Sequence, residues 1–493
     1  MTARKMTAGA MVRFIAGLLF LSLCALPVAA QNTLPNALPT ALPTAVTDVF
    51  SKAGVPIENV SVVVKEVGAK ETLLALNADK AMNPASVMKL FTTYAGLELL
   101  GPAYTWKTEV YAAGEIRNGA LLGDLVLKGG GDPKLTVERF WLLLKQLRER
   151  GLSKIKGDLI LDKTFFDNAP FDAAKFDGEP LKAYNVGPDA LLLNFKTVQF
   201  NFAPSVNGKS VSITPDVRPA QLEIVSRMKL IDAPCGDWRE RIVLDVQAIT
   251  PIQLKVSFTG NFPKSCGERA WSISLLDHAR FVGGVFASLW KEVGGSWQGA
   301  VKIQATPAAA QMLASTESPA LSEVIRDINK FSNNVMARQL FLTLSAEKML
   351  PPANAARSAD IIKEWLNKKG IMAPELVLEN GSGLSRTERT SAATLAALLD
   401  AAFKSSVMPE FIASMPLLGI DGTLRNRLRG GRSDPVAGQA HIKGGTLNDS
   451  SAMAGYVLDA NNRRWIVVMI VNHPNALMTQ AAQDALLSWV YAK

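Results

Sequence analysis

The apolar positions of this chain change texture several times along its length. One long apolar run, Phe14 to Ala30 (FIAGLLFLSLCALPVAA), follows Arg4, Lys5 and Arg13 and ends on the small residues Val28, Ala29 and Ala30. A basic leader, an apolar stretch broken by Pro27 and a small-residue end predict a secretory signal peptide over residues 1–30, cut before Gln31. An uncleaved anchor helix is the other reading. A lipid anchor through Cys24 is disfavoured by bulky Leu23 before it. Residues 31–46 repeat proline at Pro35, Pro39 and Pro43, which predicts a semi-extended tether.

Val60 to Val64 and Thr72 to Leu76 are β-rich runs around a Gly68-to-Glu71 turn, a hairpin pattern. A helix follows, with Asn83 as its cap, Pro84 at its first position and Gly101 after its end. Its interior, Met88 to Leu100, is apolar enough for a buried helix. Residues 106–305 have a different texture. Short β-rich runs (Gly123 to Leu127, Gly157 to Asp162, Ser210 to Ile213, Gln253 to Phe258) are punctuated by glycine and proline, with a few helices such as Val137 to Arg150. From about residue 308 the pattern turns helical: Leu321 to Asn329, Val335 to Leu344, Ala359 to Lys369 and Thr390 to Lys404. Met453 to Leu458 and Trp465 to Val471 predict a second hairpin, and Leu477 to Tyr491 a closing amphipathic helix. The expected organisation is an α/β body, residues 47–105 and 306–493, split by a β-rich insert of two small domains at 106–305.

Composition narrows the chemistry. With 48% hydrophobic and 20% charged residues, the chain is neither disordered nor collagenous. The net charge of +9 falls to +6 once the three leader cations leave, and no dense basic cluster supports nucleic-acid binding. Cys24 leaves with the leader, so Cys235 and Cys266 remain, and two cysteines in an exported chain most simply form one disulfide. No free thiol is then left as a nucleophile. The three histidines, His278, His441 and His473, form no H-E-x-x-H or zinc-spaced cluster, and no G-x-S-x-G elbow is present. An exported hydrolase of this composition needs a base other than histidine. No metal or organic cofactor is expected.

Three short motifs supply one. Ser86-Val87-Met88-Lys89 is an S-x-x-K on the capped helix, where positions i and i+3 share a face. A serine in the first helical turn sits among unpaired N–H groups that favour an alkoxide, and a lysine whose pKa is lowered can deprotonate it. Ser332-Asn333-Asn334 is an S-x-N at a helix head, where both residue types also serve as caps. Lys443-Gly444-Gly445-Thr446 precedes the C-terminal strands, and its glycines allow close backbone approach by an extended substrate.

Taken jointly, in this order and with 246 residues between Ser86 and Ser332, the motifs match the set of penicillin-binding proteins and β-lactamases. The chain resembles the low-molecular-mass class C penicillin-binding proteins, the D-alanyl-D-alanine carboxypeptidase/endopeptidases. Pro84-Ala85 with Leu90-Phe91-Thr92, Gly129 to Pro133, Gly381 to Arg386, Asp421 to Leu424 and Ala454 to Val457 carry the same resemblance. It implies a transpeptidase fold like that of serine β-lactamases, an antiparallel sheet flanked by helices. It also implies Ser86 as acylated nucleophile, Lys89 as its base, Ser332 as proton relay, Asn334 as a substrate-backbone ligand and Lys443 as the supporting cation. The backbone N–H groups of Ser86 and Thr446 would form the oxyanion hole, with Gly445 and Thr446 as substrate-binding positions. The expected substrates are peptidoglycan stem peptides, the inhibitors β-lactams and the compartment the periplasm. Gly444 departs from the usual third-motif threonine, whose hydroxyl helps to bind the substrate carboxylate. This departure keeps a wall-binding scaffold in view. A β-lactamase or esterase of the same fold is the other alternative, which the long insert disfavours.

Overall fold

The computed structural model describes residues 41–167, 169–428, 431 and 434–493. The expected signal peptide, and the tether up to residue 40, lie outside the described residues. Residues 44–46 are not tether: the helix Thr44–Ala53 begins directly after Pro43. Proline tolerates that boundary, and Val46, Phe50 and Ala53 give the helix a buried face.

A five-stranded antiparallel sheet organises the body around the site. Its spatial order is Ala440–Leu447, Ser450–Leu458, Arg464–Asn472, Val60–Glu66 and Leu74–Leu76. Both predicted hairpins are present, with Val63 opposite Ala75 and Ala454 opposite Val468. Alternate residues feed two different cores. Ala452, Ala454, Tyr456, Ile466, Val468 and Ile470 face a helical core. Met453, Val457, Val467, Met469 and Val471 face the terminal helices Thr44–Ala53 and Gln480–Tyr491. An antiparallel sheet covered on both faces needs apolar residues at every position, so these runs do not alternate with polar residues.

The helix Lys89–Leu100 passes through the helical core, and every residue from Lys89 to Leu97 is buried. Against it pack Leu321–Lys330, Asn334–Met349, Ala355–Lys368 and Met408–Ser414, and Ala392–Phe403 covers the sheet in the same core. Ala440–Leu447, read from sequence only as a glycine-bearing approach, is a full edge strand.

Residues 107–317 contribute four further sheets and a separate hydrophobic core. The strand Gln311–Glu317 pairs with Lys107–Ala113, so sheet structure runs past residue 305. The helix His278–Glu292, not named from sequence, contains Gly283 and Gly284. Both glycines serve packing: a Cβ on Gly283 would stand 2.4 Å from Val301 Cγ2, and one on Gly284 1.8 Å from Gln221 Oε1. Cys235 and Cys266 lie with Cα atoms 4.7 Å apart, at disulfide distance. Among the described residues, no helix is long and apolar enough to cross a membrane, and no cluster of acidic, histidine or cysteine side chains could hold a metal.

Candidate active site

Ser86 does not sit in the α-helix that its spacing predicts. Ala85–Met88 forms a 3-10 turn, and the α-helix begins at Lys89. In a 3-10 turn residues i and i+3 eclipse one another. Lys89 Nζ consequently lies 2.9 Å from Ser86 Oγ. The turn is set by Asn83, whose side-chain oxygen accepts from the Ala85 N–H at 2.9 Å. The Asn83 carbonyl accepts from Ser450 Oγ and Asn472 Nδ2, so the turn is tied directly to the sheet. Ala85 takes a left-handed φ of 47°, which costs a non-glycine residue about 1–2 kcal/mol. Its carbonyl lies against Gly383, where any Cβ would stand 1.9 Å from it.

Lys89 is fully buried and surrounded by acceptors. Besides Ser86 it donates to Asn334 Oδ1 at 2.6 Å and to the Ser382 carbonyl. Burial holds its pKa well below the ordinary lysine value, and the charges of Lys443 and Arg338 lower it further against an opposing contribution from Glu388. In the neutral amine two N–H bonds satisfy Asn334 and Ser382, and the lone pair is left to take the Ser86 hydroxyl proton.

A second lysine–serine pair stands beside the first. Lys443 Nζ donates to Ser332 Oγ at 2.9 Å and to the Gly444 carbonyl at 2.6 Å. Lys443 is also fully buried, and burial pushes its pKa down to about 7. Ser332 has a left-handed φ of 56°, just before Asn333 caps the next helix by accepting from Met336 N–H at 3.0 Å. Asn333 is therefore the cap, and Asn334 is left free to turn inward to Lys89.

The edge strand approaches the Ser86 turn at Gly445. A Cβ there would stand 2.6 Å from the Pro84 carbonyl oxygen and 2.8 Å from the Ser86 nitrogen. Only glycine permits that approach. Ser86, Ser332, Gly445 and the exposed Thr446 line one cleft of about 550 Å³, while Lys89, Asn334 and Lys443 are buried. All seven residues named from sequence thus meet in one region.

Sequence reasoning assigned no role to the backing of the site. The Ser382 carbonyl bonds Lys89 through the backbone, which residue type does not reveal. Its loop is held by buried Glu388, whose Oε1 accepts from the N–H groups of Glu379, Asn380 and Gly381. Burial raises the pKa of that carboxyl. The Gly381-to-Arg386 stretch was visible as a family likeness, but Glu388 two residues on carried no signal.

Fold and site together define a serine acyl-transfer enzyme of the penicillin-binding type, with a buried lysine beside the serine. The D-Ala-D-Ala carboxypeptidase 3 (S13) family matches residues 42–493, and the chain belongs to it. It is 25% identical over 416 residues to the D-alanyl-D-alanine carboxypeptidase DacB of Haemophilus influenzae, covering 84% of this chain and 85% of that one. It is 28% identical over 410 residues to a D-alanyl-D-alanine carboxypeptidase of Actinomadura sp. (strain R39), covering 80% and 74%. The crystal structure of penicillin binding protein 4 from H. influenzae superposes with a TM-score of 0.73 at 24% identity, over 91% of this chain and 99% of that one. A second structure of that protein, complexed with a β-lactam, gives 0.70 at 23% identity, over 92% and 100%.

Proposed function

We propose that this protein is a serine D-Ala-D-Ala carboxypeptidase of peptidoglycan stem peptides, acting through an acyl-Ser86 intermediate. The observation that carries this reading is the buried Lys89 amine, 2.9 Å from Ser86 Oγ and depressed in pKa by burial. Lys89 takes the Ser86 proton as Oγ attacks the scissile carbonyl carbon. The Ser86 and Thr446 N–H groups hold the oxyanion, a contribution of about 10² to 10³ in rate for each such donor. As the C–N bond breaks, Ser332 passes a proton to the departing D-Ala nitrogen and is resupplied by Lys443. Water then attacks the ester carbon: its proton passes through Ser332 to Lys443, left neutral by the first step, while Lys89 returns its proton to Ser86 Oγ as the C–O bond breaks, so both lysines regain their starting states. Asn334 positions Lys89 and faces the substrate backbone.

A β-lactam presents a strained amide to the same serine and leaves a slowly hydrolysed acyl-enzyme. The edge strand Ala440–Leu447 is paired with Pro416–Leu418 over Ala440–Ile442, and its remainder, Lys443–Leu447, is the border for an extended peptide. Residues 106–317 are read as the insert, because Gln311–Glu317 closes the same sheet as Lys107–Ala113. Export to the periplasm, removal of residues 1–30 and a Cys235–Cys266 disulfide complete the reading.

The test is D-Ala release from an N-acetylated L-Lys-D-Ala-D-Ala peptide, beside Ser86→Ala and a peptide ending in L-Ala-L-Ala. Release by the wild type from the D,D peptide alone, abolished in the variant, is the expected result. Equal release from both peptides, or release that survives Ser86→Ala, contradicts it.

A further inference from the structure

A carboxypeptidase substrate carries a free carboxylate on the residue that leaves, one residue beyond the scissile bond. The cleft must therefore hold an anion close to Ser86. We propose that Arg425 binds that carboxylate, in the space left open beside Gly444. The proposal rests on the carboxypeptidase reading and names the cation that reading needs.

Few cations qualify. Lys89 and Lys443 are buried and directed at Ser86 and Ser332. Lys330 is paired with Asp421 at 2.6 Å. The charged side chains lining the cleft are Arg425 and Arg427. Arg427 is committed, with Nε on Asp484 Oδ1 at 2.8 Å and Nη2 on Gln483 Oε1 at 2.6 Å. Arg425 is exposed and makes no ion pair among the described residues. A guanidinium presents paired donors that match the two oxygens of a carboxylate.

The loop carrying Arg425 is fixed at the right place. Asp421 Oδ1 accepts from the Leu417 N–H at 2.8 Å, and its other oxygen pairs with Lys330, two residues before Ser332. Gly422 lies against the Lys330 carbonyl, where a Cβ would stand 2.5 Å from the oxygen at a φ of 56°. The next anchor is buried Leu424. Its Cδ2 is 3.9 Å from where a Cβ on Gly444 would stand, and no other atom outside the glycine's chain neighbours comes within 4 Å. Position 444 therefore has room for a side chain and lacks one. Gly444 and Thr446 share a strand face by the two-residue period, so the Thr446 hydroxyl borders the same space. Arg425 and Thr446 together replace the hydroxyl that Gly444 does not supply.

The experiment compares N-acetylated L-Lys-D-Ala-D-Ala with its C-terminal amide, using wild type, Arg425→Gln, Gly444→Thr and the double variant. Arg425→Gln should lower kcat/KM for the acid by roughly 10- to 100-fold, mainly through KM, as expected for a lost charge-assisted hydrogen bond. The amide rate should stay unchanged. Gly444→Thr should restore part of the acid rate in the Arg425→Gln background. An unchanged ratio of acid to amide rates in Arg425→Gln, with wild type active, overturns this proposal and leaves the carboxypeptidase reading standing. A wild type that releases no D-Ala from the acid overturns both.

Discussion

Replacing Lys443 by methionine should abolish fast acylation and yet stabilise the protein, in a way that depends on pH. Burial pushes the Lys443 pKa from 10.5 down to about 7. A drop of roughly 3.5 units at about 1.36 kcal/mol each is a folding penalty of about 5 kcal/mol while the amine is charged in the unfolded chain. The sign follows from proton uptake. Between the folded and unfolded pKa values the unfolded chain binds more protons, so stability rises with pH across that window. The penalty is complete below about pH 7 and gone above about 10.5. Methionine removes it, at the loss of the hydrogen bonds to Ser332 and Gly444, about 1 kcal/mol each. The net gain is about 3 kcal/mol at pH 6.5 and about −1 kcal/mol at pH 10. For a chain this long, 1 kcal/mol moves the melting temperature by about 1 °C. Lys443→Met should therefore melt about 3 °C above wild type at pH 6.5 and slightly below it at pH 10, read by differential scanning calorimetry. A difference that does not change with pH would refute the reasoning.

Gly445→Ala should keep the fold and lose acylation by about 10²-fold or more, because its Cβ meets the backbone on either side of Ser86 and displaces the strand; stopped-flow acylation with unchanged circular dichroism checks this. The wild-type acylation rate should rise with pH along a limb well below the ordinary lysine range, since Lys89 must lose its proton and its pKa is depressed; a limb near pH 10.5 would contradict the assignment. Removing Lys443 takes away a charge that lowers Lys89, so any residual limb in Lys443→Met should move alkaline. Thiol titration of the mature chain in guanidinium should find no free cysteine, and Cys235→Ser with Cys266→Ser should destabilise the protein by about 4 kcal/mol for a closed span of 31 residues.

Elements with a strong local pattern were readable in advance. The helix from Lys89 to Leu100 and both hairpins followed from apolar runs and turn residues, but the expected cap Asn83 and first-position Pro84 precede a 3-10 turn, and the α-helix begins after Met88 with no side-chain cap. That the seven named residues come together was readable because order and spacing constrained three weak motifs jointly. What escaped was set by tertiary contact. The 3-10 turn at Ser86 depends on Asn83 being held by strands some 370 to 390 residues away. The helix His278–Glu292 was not named from sequence; it carries Gly283 and Gly284 where Val301 and Gln221 take the space a side chain would fill. The Ser382 carbonyl acts through backbone, and Glu388 is a buried acid with no motif around it. Gly444 was visible as a departure, but its consequence depends on the Arg425 loop, which only the fold brings beside it.

The most direct test of the central claim is intact-protein mass spectrometry after incubation with benzylpenicillin, with Ser86→Ala as control. The account predicts one covalently bound penicillin on the wild type, stable over minutes, and none on the variant. An unmodified wild type with the drug intact would contradict the nucleophile assignment and favour a scaffold. An unmodified wild type with the drug hydrolysed would make the protein a β-lactamase.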